Sequence, residues 1–378
     1  MRFCVLTAKI PPENCGVGDY SINFCREVAS RGHDVLLICR NHEPISRYNF
    51  DISDNIPAIS TKNLITITNE IKKFKPDLVT IQWAPFLYAK RGLTLAIPLL
   101  CLWLIINKQK FSVMVHELWA SSFHPLRLFQ EFWQRSVAYL LLVSAKYIGV
   151  SIEAWTQQFQ QQLSWKKTRI QWQGVASNID YYAPTAEEAK SLQDKFNLQK
   201  DKKYITIFSP TGSGKGLDLI NYASEKLSQL NNIEYLVIGS TPDETRRQLT
   251  FLDNSKNTHW LGFCDDHEVS YLLQQTYLAL IPFIDGISTR RGSALAGLAN
   301  GTNILTTYGF LYDIKAFENA PIHTTHYDIY EFADKATQLV KEESALYNRE
   351  EILDFYANNL NWQKHVDRFL VLIGYKSV

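Results

Sequence analysis

The strongest constraint on the fold is a set of short apolar runs that alternate with helical patterns and occur in two separate series. Each run is continuously apolar, which is typical of strands buried on both faces, and strands that alternate with helices imply a parallel sheet. The predicted strands are 3–7, 35–38, 77–82, 111–115 and 147–150 in the first series, and 204–208, 235–238, 278–282 and 303–306 in the second. Ligands of such sheets bind beyond the carboxyl ends of the strands, so the loops there are the candidate sites.

A polar stretch, 185–203, separates the two series and is the predicted linker, because it contains no apolar run. The chain has 378 residues, about twice the usual length of one domain, so we predict two domains. The fold class is then α/β, with two Rossmann-like parallel-sheet lobes that face a cleft. The N-terminal domain is predicted to comprise 1–182 and the final helix 361–378, and the C-terminal domain 203–360.

Charge and cysteine usage exclude several classes of protein. Lys and Arg number 39 against 38 Asp and Glu, so no strong field favours nucleic acid. The six cysteines are scattered without a C-x-x-C pair, which argues against a disulfide framework and favours a cytoplasmic protein. No secretion signal is recognisable, and the most apolar segment, 93–106, is too short to span a bilayer. Peripheral contact with a membrane stays open, and nothing indicates an oligomeric state.

Two glycine-containing loops follow predicted strands, and each has an ordinary alternative explanation. In the first loop, Gly16 and Gly18 precede a helix and could let the backbone approach a phosphate. An ordinary tight turn capped by Asp19 explains the same pattern. The second loop carries Lys215, either a phosphate partner or a solvated lysine at a helix start. It is not a P-loop, because no Ser or Thr follows the lysine.

Two further segments carry chemically capable side chains. The loop 282–293 contains Arg290 and Arg291 next to a helix start, which favours an anion site. The alternative is a surface pair held by nearby carboxylates. His116 and Glu117 directly follow another predicted strand, and no second histidine falls four residues later, so this is not a zinc motif. His116 is thus either a functional group or a satisfied structural histidine.

The order of these motifs resembles that of the retaining GT-B glycosyltransferases of family 4 over nearly the whole chain. The resemblance rests on the Gly-x-Gly loop, the strand that ends in His, the Lys-Gly loop and the segments 236–239, 260–263, 282–283 and 298–301. It implies a UDP- or GDP-sugar as co-substrate, no cofactor, and a position for His116 near the reacting sugar. The donor-binding residues that it implies are Gly16, Val17, Gly18, Lys215, Gly239, Phe263, Cys264, Ser288, Thr289, Arg290, Arg291, Gly292 and Ser293.

The chain departs from that family in its acidic residues. The family's two glutamates, eight positions apart, fall at Ser288 and Ala296, and its usual arginine before the lysine is missing. A subgroup with the pattern Ser-x-Arg-Arg-Gly-Ser looks most similar, and there Arg290 and Arg291 would replace the lost arginine. The sequence also has no Asp-x-Asp pair of the kind that holds a metal ion on a diphosphate.

We therefore predict a metal-independent glycosyltransferase that retains anomeric configuration. Its acceptor would be a hydroxyl group on a glycan, a lipid-linked compound or a small natural product. The candidate catalytic residues are His116, Glu117 and Asp19. His116 would orient the sugar or the acceptor, and Asp19 would be the base of a rival, inverting mechanism. The alternatives are a nucleotide-sugar epimerase and a donor-binding protein with degenerate activity.

Overall fold

A computed structural model describes residues 1–13, 15–40, 48–53, 56–119, 125–212 and 214–375. It divides the chain into two compact units. The first lobe comprises Met1–Asn178 and Trp362–Val378, and the second lobe comprises Ile179–Asn361. Each lobe contains one sheet in which the paired strands run parallel, so the predicted α/β class with two parallel-sheet lobes is confirmed.

The sheet of the first lobe has seven strands among the described residues, in the order β3-β2-β1-β4-β5-β6-β7. They are β1 (Arg2–Leu6), β2 (Asp34–Ile38), β3 (Asp51–Ile52), β4 (Leu78–Trp83), β5 (Phe111–Val115), β6 (Tyr147–Val150) and β7 (Arg169–Trp172). The order of the strands reverses between β1 and β4, which pair directly. At such a reversal the loops diverge on either side and leave a crevice beyond the carboxyl ends.

The sheet of the second lobe has six strands in the described part of the chain, in the order β10-β9-β8-β11-β12-β13. They are β8 (Lys203–Phe208), β9 (Ile233–Ile238), β10 (Thr258–Gly262), β11 (Thr276–Leu280), β12 (Ile304–Thr307) and β13 (His323–Thr325). Here the order reverses between β8 and β11. The loops that follow these two strands carry Lys215 and the arginine pair, so this reversal brings two of the predicted segments together.

Helices surround both sheets. The first lobe contains α1 (Gly16–Ser30), α2 (Leu64–Phe74), α3 (Ala96–Ile106), α4 (Pro125–Ser144), α5 (Glu153–Gln162) and the last helix of the chain, α15 (Trp362–Ile373). The second lobe contains α6 (Ala186–Lys195), α7 (Leu217–Leu227), α8 (Asp243–Gln248), α9 (Thr250–Asn254), α10 (Asp266–Gln275), α11 (Gly292–Ala299), α12 (Ile314–Phe317), α13 (Ile329–Lys341) and α14 (Arg349–Asn359). Within the described ranges, none of these helices combines the length and hydropathy that crossing a bilayer requires.

The four strands that the sequence did not predict are β3, β7, β10 and β13, and all four lie at sheet edges. Continuous apolar runs identify strands that are buried on both faces, whereas β3, β7 and β10 are half-buried or exposed along their length. The criterion therefore finds central strands and misses edge strands.

The polar stretch 185–203 is not an extended linker. It contains α6, which begins with a capping box between Thr185 and Glu188. The helix contains few apolar residues, but they lie on one side, and Leu192 and Phe196 are buried in the core of the second lobe. Two well-placed apolar residues suffice to dock a short helix, which a search for apolar runs does not detect.

The last helix, α15, packs on the first lobe against α1, β6 and β7. Phe369 lies edge-on to Phe24 with ring centroids 4.9 Å apart, and its ring is 5.8 Å from that of Phe3. The indole Nε1 of Trp362 donates to the carbonyl oxygen of Ser177 at 2.8 Å. The C-terminal segment thus completes a core whose other members come from the first 180 residues of the chain.

We expect Phe369→Ala to lower the free energy of unfolding of the first lobe by about 3–5 kcal/mol, because it leaves a cavity among packed aromatic rings. Val371→Ala on the same helix is the matched control, because Val371 is 64% exposed, and its effect should stay within about 0.5 kcal/mol. Urea unfolding followed by tryptophan fluorescence measures both. Equal effects of the two substitutions would contradict the packing role of α15.

Candidate functional site

The loops after β8 and β11 are joined to each other at the strand-order reversal of the second lobe. Lys215 forms an isolated antiparallel bridge with Phe283. The N–H of Gly216 donates to the carbonyl oxygen of Pro282 at 3.0 Å, and the N–H of Ile284 donates to that of Gly214 at 2.9 Å. These bonds hold the lysine loop and the arginine loop in a defined register, so their side chains are positioned by backbone and not by chance proximity.

Lys215 and Arg291 both lie over the ring of Phe283. The Nζ of Lys215 is 4.6 Å from the ring centroid, and the guanidinium carbon of Arg291 is 4.5 Å from it. Lys215 also donates to the hydroxyl of Ser293 at 2.9 Å. Burial, and after it the like charge of Arg291, lowers the pKa of Lys215 to about 7. The lysine is therefore a half-buried group held by the protein, and the alternative of a solvated lysine is wrong.

Asp285 contacts both arginines. Its carboxylate accepts from Arg290 at 2.7 Å and also accepts from Arg291. The alternative of a pair held by a nearby carboxylate thus describes part of the geometry, but one carboxylate serves two arginines, and Lys215 beside Arg291 adds positive charge whenever its amine is protonated. The Nε of Arg290 is buried and has no hydrogen-bond partner among the described residues. The cluster therefore retains an excess of positive charge that an anion would offset.

The small residues on either side of the two arginines have different environments. Ser288 is fully buried, and Thr289 is buried and donates through its N–H and its hydroxyl to Asp313, at 2.8 and 3.2 Å. Gly292 is exposed at the first position of α11, and no atom lies within 4 Å of the place where a Cβ would stand. Ser293 follows it and accepts from the lysine. Gly292 and Ser293 thus place the N-terminus of α11 next to the cluster, whereas Thr289 holds the loop in place through its bonds to Asp313.

Gly239 and the segment after β10 form another part of the same carboxyl edge. The N–H of Gly239 donates to the carbonyl oxygen of Gly262 at 2.7 Å, and Gly239 has a φ of 105°, which glycine alone adopts readily. Phe263 is 73% exposed, whereas Cys264 is buried in the core. Phe263 can therefore meet a flat ligand, and any contact from position 264 would come from its backbone.

Gly16, Val17 and Gly18 do not lie in a loop before the helix, because α1 begins at Gly16. The idea that Asp19 caps this helix is also wrong: Cys15 is the residue at the N-cap, and Asp19 lies within the helix. Gly18 is required by packing, since a Cβ there would stand 2.4 Å from the carbonyl oxygen of Lys9. Gly16 is exposed and has open space around it, so the start of α1 is accessible to a ligand.

His116 is buried beside β5 in a chain of neutral polar groups, whereas Glu117 next to it is exposed. Its Nε2 bonds to Oε1 of Gln82 at 2.8 Å, and its ring meets the edge of Tyr20 at 4.5 Å. Burial, and after it the neighbouring His365, lowers the pKa of His116 to about 3. The imidazole is therefore uncharged at neutral pH, and donation from Nε2 leaves Nδ1 as an acceptor.

His365 of α15 supports the same cluster from the other end of the chain. Its Nδ1 donates to the carbonyl oxygen of Gly174 at 2.8 Å, so its Nε2 accepts from the hydroxyl of Tyr20 at 2.6 Å. Burial, and after it the charge of Arg368, lowers the pKa of His365 to about 3. The last helix thus positions Tyr20, which in turn contacts His116.

Residues that follow β1, β2, β3 and β4 line a cavity of about 430 Å³ at the strand-order reversal of the first lobe. Its cationic lining residues are Lys9, Arg40, Lys90 and Arg91. Glu13 accepts from Arg40 at 2.5 Å and lies 3.8 Å from the Nζ of Lys9, so these two charges are partly offset. Lys90 and Arg91 are exposed. The cavity is therefore suited to a polar or anionic group.

Buried hydrogen bonds hold the loop that forms one wall of this cavity. The hydroxyl of Tyr88 contacts the carbonyl oxygens of Leu6 and Gln82, at 3.0 and 2.5 Å. The amide of Gln134 donates to the carbonyl oxygen of Arg91 at 3.1 Å. Arg91 has a φ of 60°, a conformation that costs an arginine energy and persists only where neighbours enforce it. The wall is therefore preorganised.

Several residues of these clusters have no predicted role in the sequence analysis. Phe283 and Asp285 lie inside the predicted loop 282–293. The short distance in sequence between Asp285 and the two arginines indicates that the carboxylate could pair with them. Gln82 ends the predicted strand before that of His116. Tyr20 and His365 are 345 positions apart, and no sequence pattern connects them. In the described part of the chain, no group of three or more His, Cys, Asp or Glu could hold a metal ion.

Comparisons with known proteins agree with this architecture. Residues 189–358, less than half of the chain, match the model of the family described as glycosyl transferases group 1. No curated protein sequence matches the chain.

Solved structures resemble the chain along nearly its whole length. HepE of Anabaena, in complex with UDP and glucose, has a TM-score of 0.71 at 12% identity, with 100% of both chains covered. Sucrose-phosphate synthase of Thermosynechococcus elongatus has 0.70 at 13%, with 99% of this chain and 98% of that one covered. A putative UDP-N-acetylglucosamine 2-epimerase of Listeria monocytogenes has 0.63 at 12%, with 98% and 95% covered. The likeness is one of fold, and it confirms the predicted GT-B class.

The environment of Lys215 predicts an unusually nucleophilic amine. Competitive labelling with acetic anhydride across a pH series should give a midpoint of about 7 for Lys215, because the neutral amine reacts. Lys202, whose pKa is raised by its bond to Glu234, is the internal control. Arg291→Gln should raise the midpoint of Lys215, since it removes a like charge. A wild-type midpoint equal to that of Lys202 would show that the lysine is not buried as described.

Proposed function

We propose that the protein is a glycosyltransferase that moves a sugar from a UDP- or GDP-sugar to a hydroxyl acceptor. The observation that carries this proposal is the cluster of Lys215, Arg290 and Arg291 at the strand-order reversal of the second lobe. It lies inside the segment that matches the glycosyl transferases group 1 model. A ligand with a diphosphate suits this place, because ligands of parallel sheets bind at such reversals and the cluster carries excess positive charge.

The donor diphosphate would contact Lys215 and Arg291 on the side of Phe283, with the N-terminus of α11 at Gly292 and Ser293. Each charge-assisted contact contributes roughly 1.5–3 kcal/mol. Arg290 and Arg291 would replace the arginine that retaining family 4 enzymes carry before the lysine, as expected of a member of the subgroup with a Ser-x-Arg-Arg-Gly-Ser loop. Fixed cations would also remove the need for a divalent ion.

The base of the donor would lie along the same edge, where Gly239 has no side chain and Phe263 is exposed. An exposed aromatic ring offers a stacking surface to a nucleobase. The backbone around Cys264 would supply polar contacts, because its thiol is buried in the core.

The first lobe would hold the acceptor. Its cavity of about 430 Å³ is large enough for a sugar-sized group and has cationic walls. His116 would accept a hydrogen bond from a sugar or acceptor hydroxyl through Nδ1. Its low pKa makes it a poor proton acceptor, which favours an orienting role over that of a general base. Gly16, Val17 and Gly18 would contribute the start of α1.

The reaction would proceed with retention and without a covalent sugar–enzyme intermediate. The acceptor oxygen would bond to the anomeric carbon as the bond to the diphosphate oxygen breaks, and the hydroxyl proton would pass to that leaving oxygen. Lys215 and the arginines would stabilise the developing charge. Asp19 remains the rival group, since a carboxylate at the start of α1 could serve as the base of an inverting attack.

Arg291→Ala should weaken UDP and GDP binding by at least about tenfold, the loss that one charge-assisted contact implies. Arg246→Ala is the control: Arg246 also stacks on an aromatic ring, Trp260 at 4.4 Å, and pairs with a carboxylate, Asp253 at 3.8 Å, in the same lobe, although its side chain is more exposed than that of Arg291. Calorimetry in buffer with EDTA measures both affinities without a metal. Equal affinities for wild type and Arg291→Ala would place the nucleotide elsewhere.

A panel of nucleotide sugars should reveal one donor that the protein slowly hydrolyses, and NMR should show that the released sugar first appears in the donor's anomeric configuration. His116→Ala should slow turnover without abolishing it, and Asp19→Asn should retain activity. An inverted product together with an inactive Asp19→Asn variant would contradict the retaining mechanism. Interconversion of the nucleotide sugar would indicate an epimerase, and tight binding without turnover would indicate a degenerate binding protein.

A further inference from the structure

Two neighbouring helices of the first lobe present apolar side chains to solvent. The exposed residues Leu95, at the N-cap of α3, and Leu99, Leu102 and Ile106, within it, recur at helical spacing, and the opposite side of the helix is buried in the core. The helix α4, which packs against α3, exposes Phe129 and Phe132. Ile106 is 78% exposed and Phe132 is 67% exposed. We call these six residues the apolar face.

The apolar face is not explained by the fold. A helix that is apolar on all sides belongs in a core or in contact with lipid, and the described residues of its own lobe cover only half of α3. Large exposed apolar patches on one surface mark contact sites, because isolated exposed residues are ordinary but clustered ones are not. The face therefore needs an occupant.

Charge indicates what the occupant is. Lys90 and Arg91 lie six and five positions before the first residue of α3, Ala96, and Lys108 and Lys110 lie two and four positions after its last residue, Ile106; all four are exposed. Residues 84–146 contain seven Lys and Arg against two Glu, although the whole chain is close to neutral at +1. The stretch of chain that contains α3 and α4 thus carries an excess of positive charge that the rest of the chain offsets, and one of its two glutamates, Glu131, is paired with Arg135 at 2.6 Å.

We propose that the apolar face docks onto the surface of an anionic lipid bilayer. Leu, Ile and Phe side chains would enter the boundary between headgroups and acyl chains, and the basic residues at both ends of α3 would contact lipid phosphates. Interfacial helices bind membranes in this way, because burial of apolar area and attraction to anionic lipids both contribute to their affinity. The proposal goes beyond sugar transfer, and its test requires neither donor nor acceptor.

Flotation of the full chain with lipid vesicles tests the proposal. A larger fraction of the wild type should float with vesicles that contain phosphatidylglycerol than with vesicles of pure phosphatidylcholine. Raising the salt concentration should lower the fraction that floats with the phosphatidylglycerol vesicles, because salt screens charge. Ile106→Glu and Phe132→Glu should each weaken partition by at least about tenfold. Val371→Glu is the matched control, because it places the same charge at an exposed apolar position of α15 in the same lobe, 64% exposed.

The contribution of charge is tested separately. Lys108→Asn with Lys110→Gln should weaken binding to anionic vesicles by about fivefold for each lysine and leave binding to neutral vesicles unchanged. Asn is chosen at 108 because the backbone there has a φ of 53°, which Asn tolerates. Thermal melting checks that every variant is folded.

Three results would overturn the proposal. One is wild-type protein that stays unbound with anionic vesicles. Another is partition of Ile106→Glu equal to that of Val371→Glu. The third is a concentration-dependent dimer that Ile106→Glu dissociates in the absence of any vesicle binding, because the occupant would then be a second copy of the chain.

Discussion

Burial of parallel strands on both faces is the constraint from which the rest of this structure follows. A strand that is covered by helices on either side offers no polar side chain to a ligand, so chemistry is confined to the loops at the carboxyl edge. In both sheets the order of strands reverses once in the middle, between β1 and β4 and between β8 and β11. The cationic cavity of the first lobe and the cationic cluster of the second lobe each form at that reversal.

The second-lobe cluster shows how a fold can hold like charges together. Lys215 and Arg291 share the ring of Phe283, whose quadrupole attracts both, and Asp285 supplies a carboxylate to the arginines. Burial, and after it the like charge of Arg291, still lowers the pKa of Lys215 to about 7, so the positive charges are not fully compensated. A site with this imbalance is stabilised when an anion arrives, which is the electrostatic requirement for binding a diphosphate with fixed protein groups.

The cluster around His116 in the first lobe differs from this, because its buried polar groups are uncharged. His116, Tyr20 and His365 form contacts that need neutral imidazoles, and burial ensures that both histidines are neutral. This arrangement also makes the last helix part of the site region, because α15 provides His365. The last helix of the chain, which the sequence analysis assigns to the N-terminal domain, therefore positions groups contributed by α1 and β5.

The sequence alone determined the fold class, the central strands and the loops that carry Lys215 and the arginine pair. Strands that are buried on both faces are continuously apolar, so they can be recognised directly in the sequence. It did not determine the four edge strands or the docking of α6, since a half-buried element needs few apolar residues. Tertiary structure alone decided which groups meet: Asp285 with both arginines, Lys215 with Phe283 and Tyr20 with His365. The contacts of Lys215 with Phe283 and of Tyr20 with His365 depend on strand order and join residues far apart in the chain, and the contacts of Asp285 depend on the conformation of its loop; none of these leaves a periodic signal in the sequence.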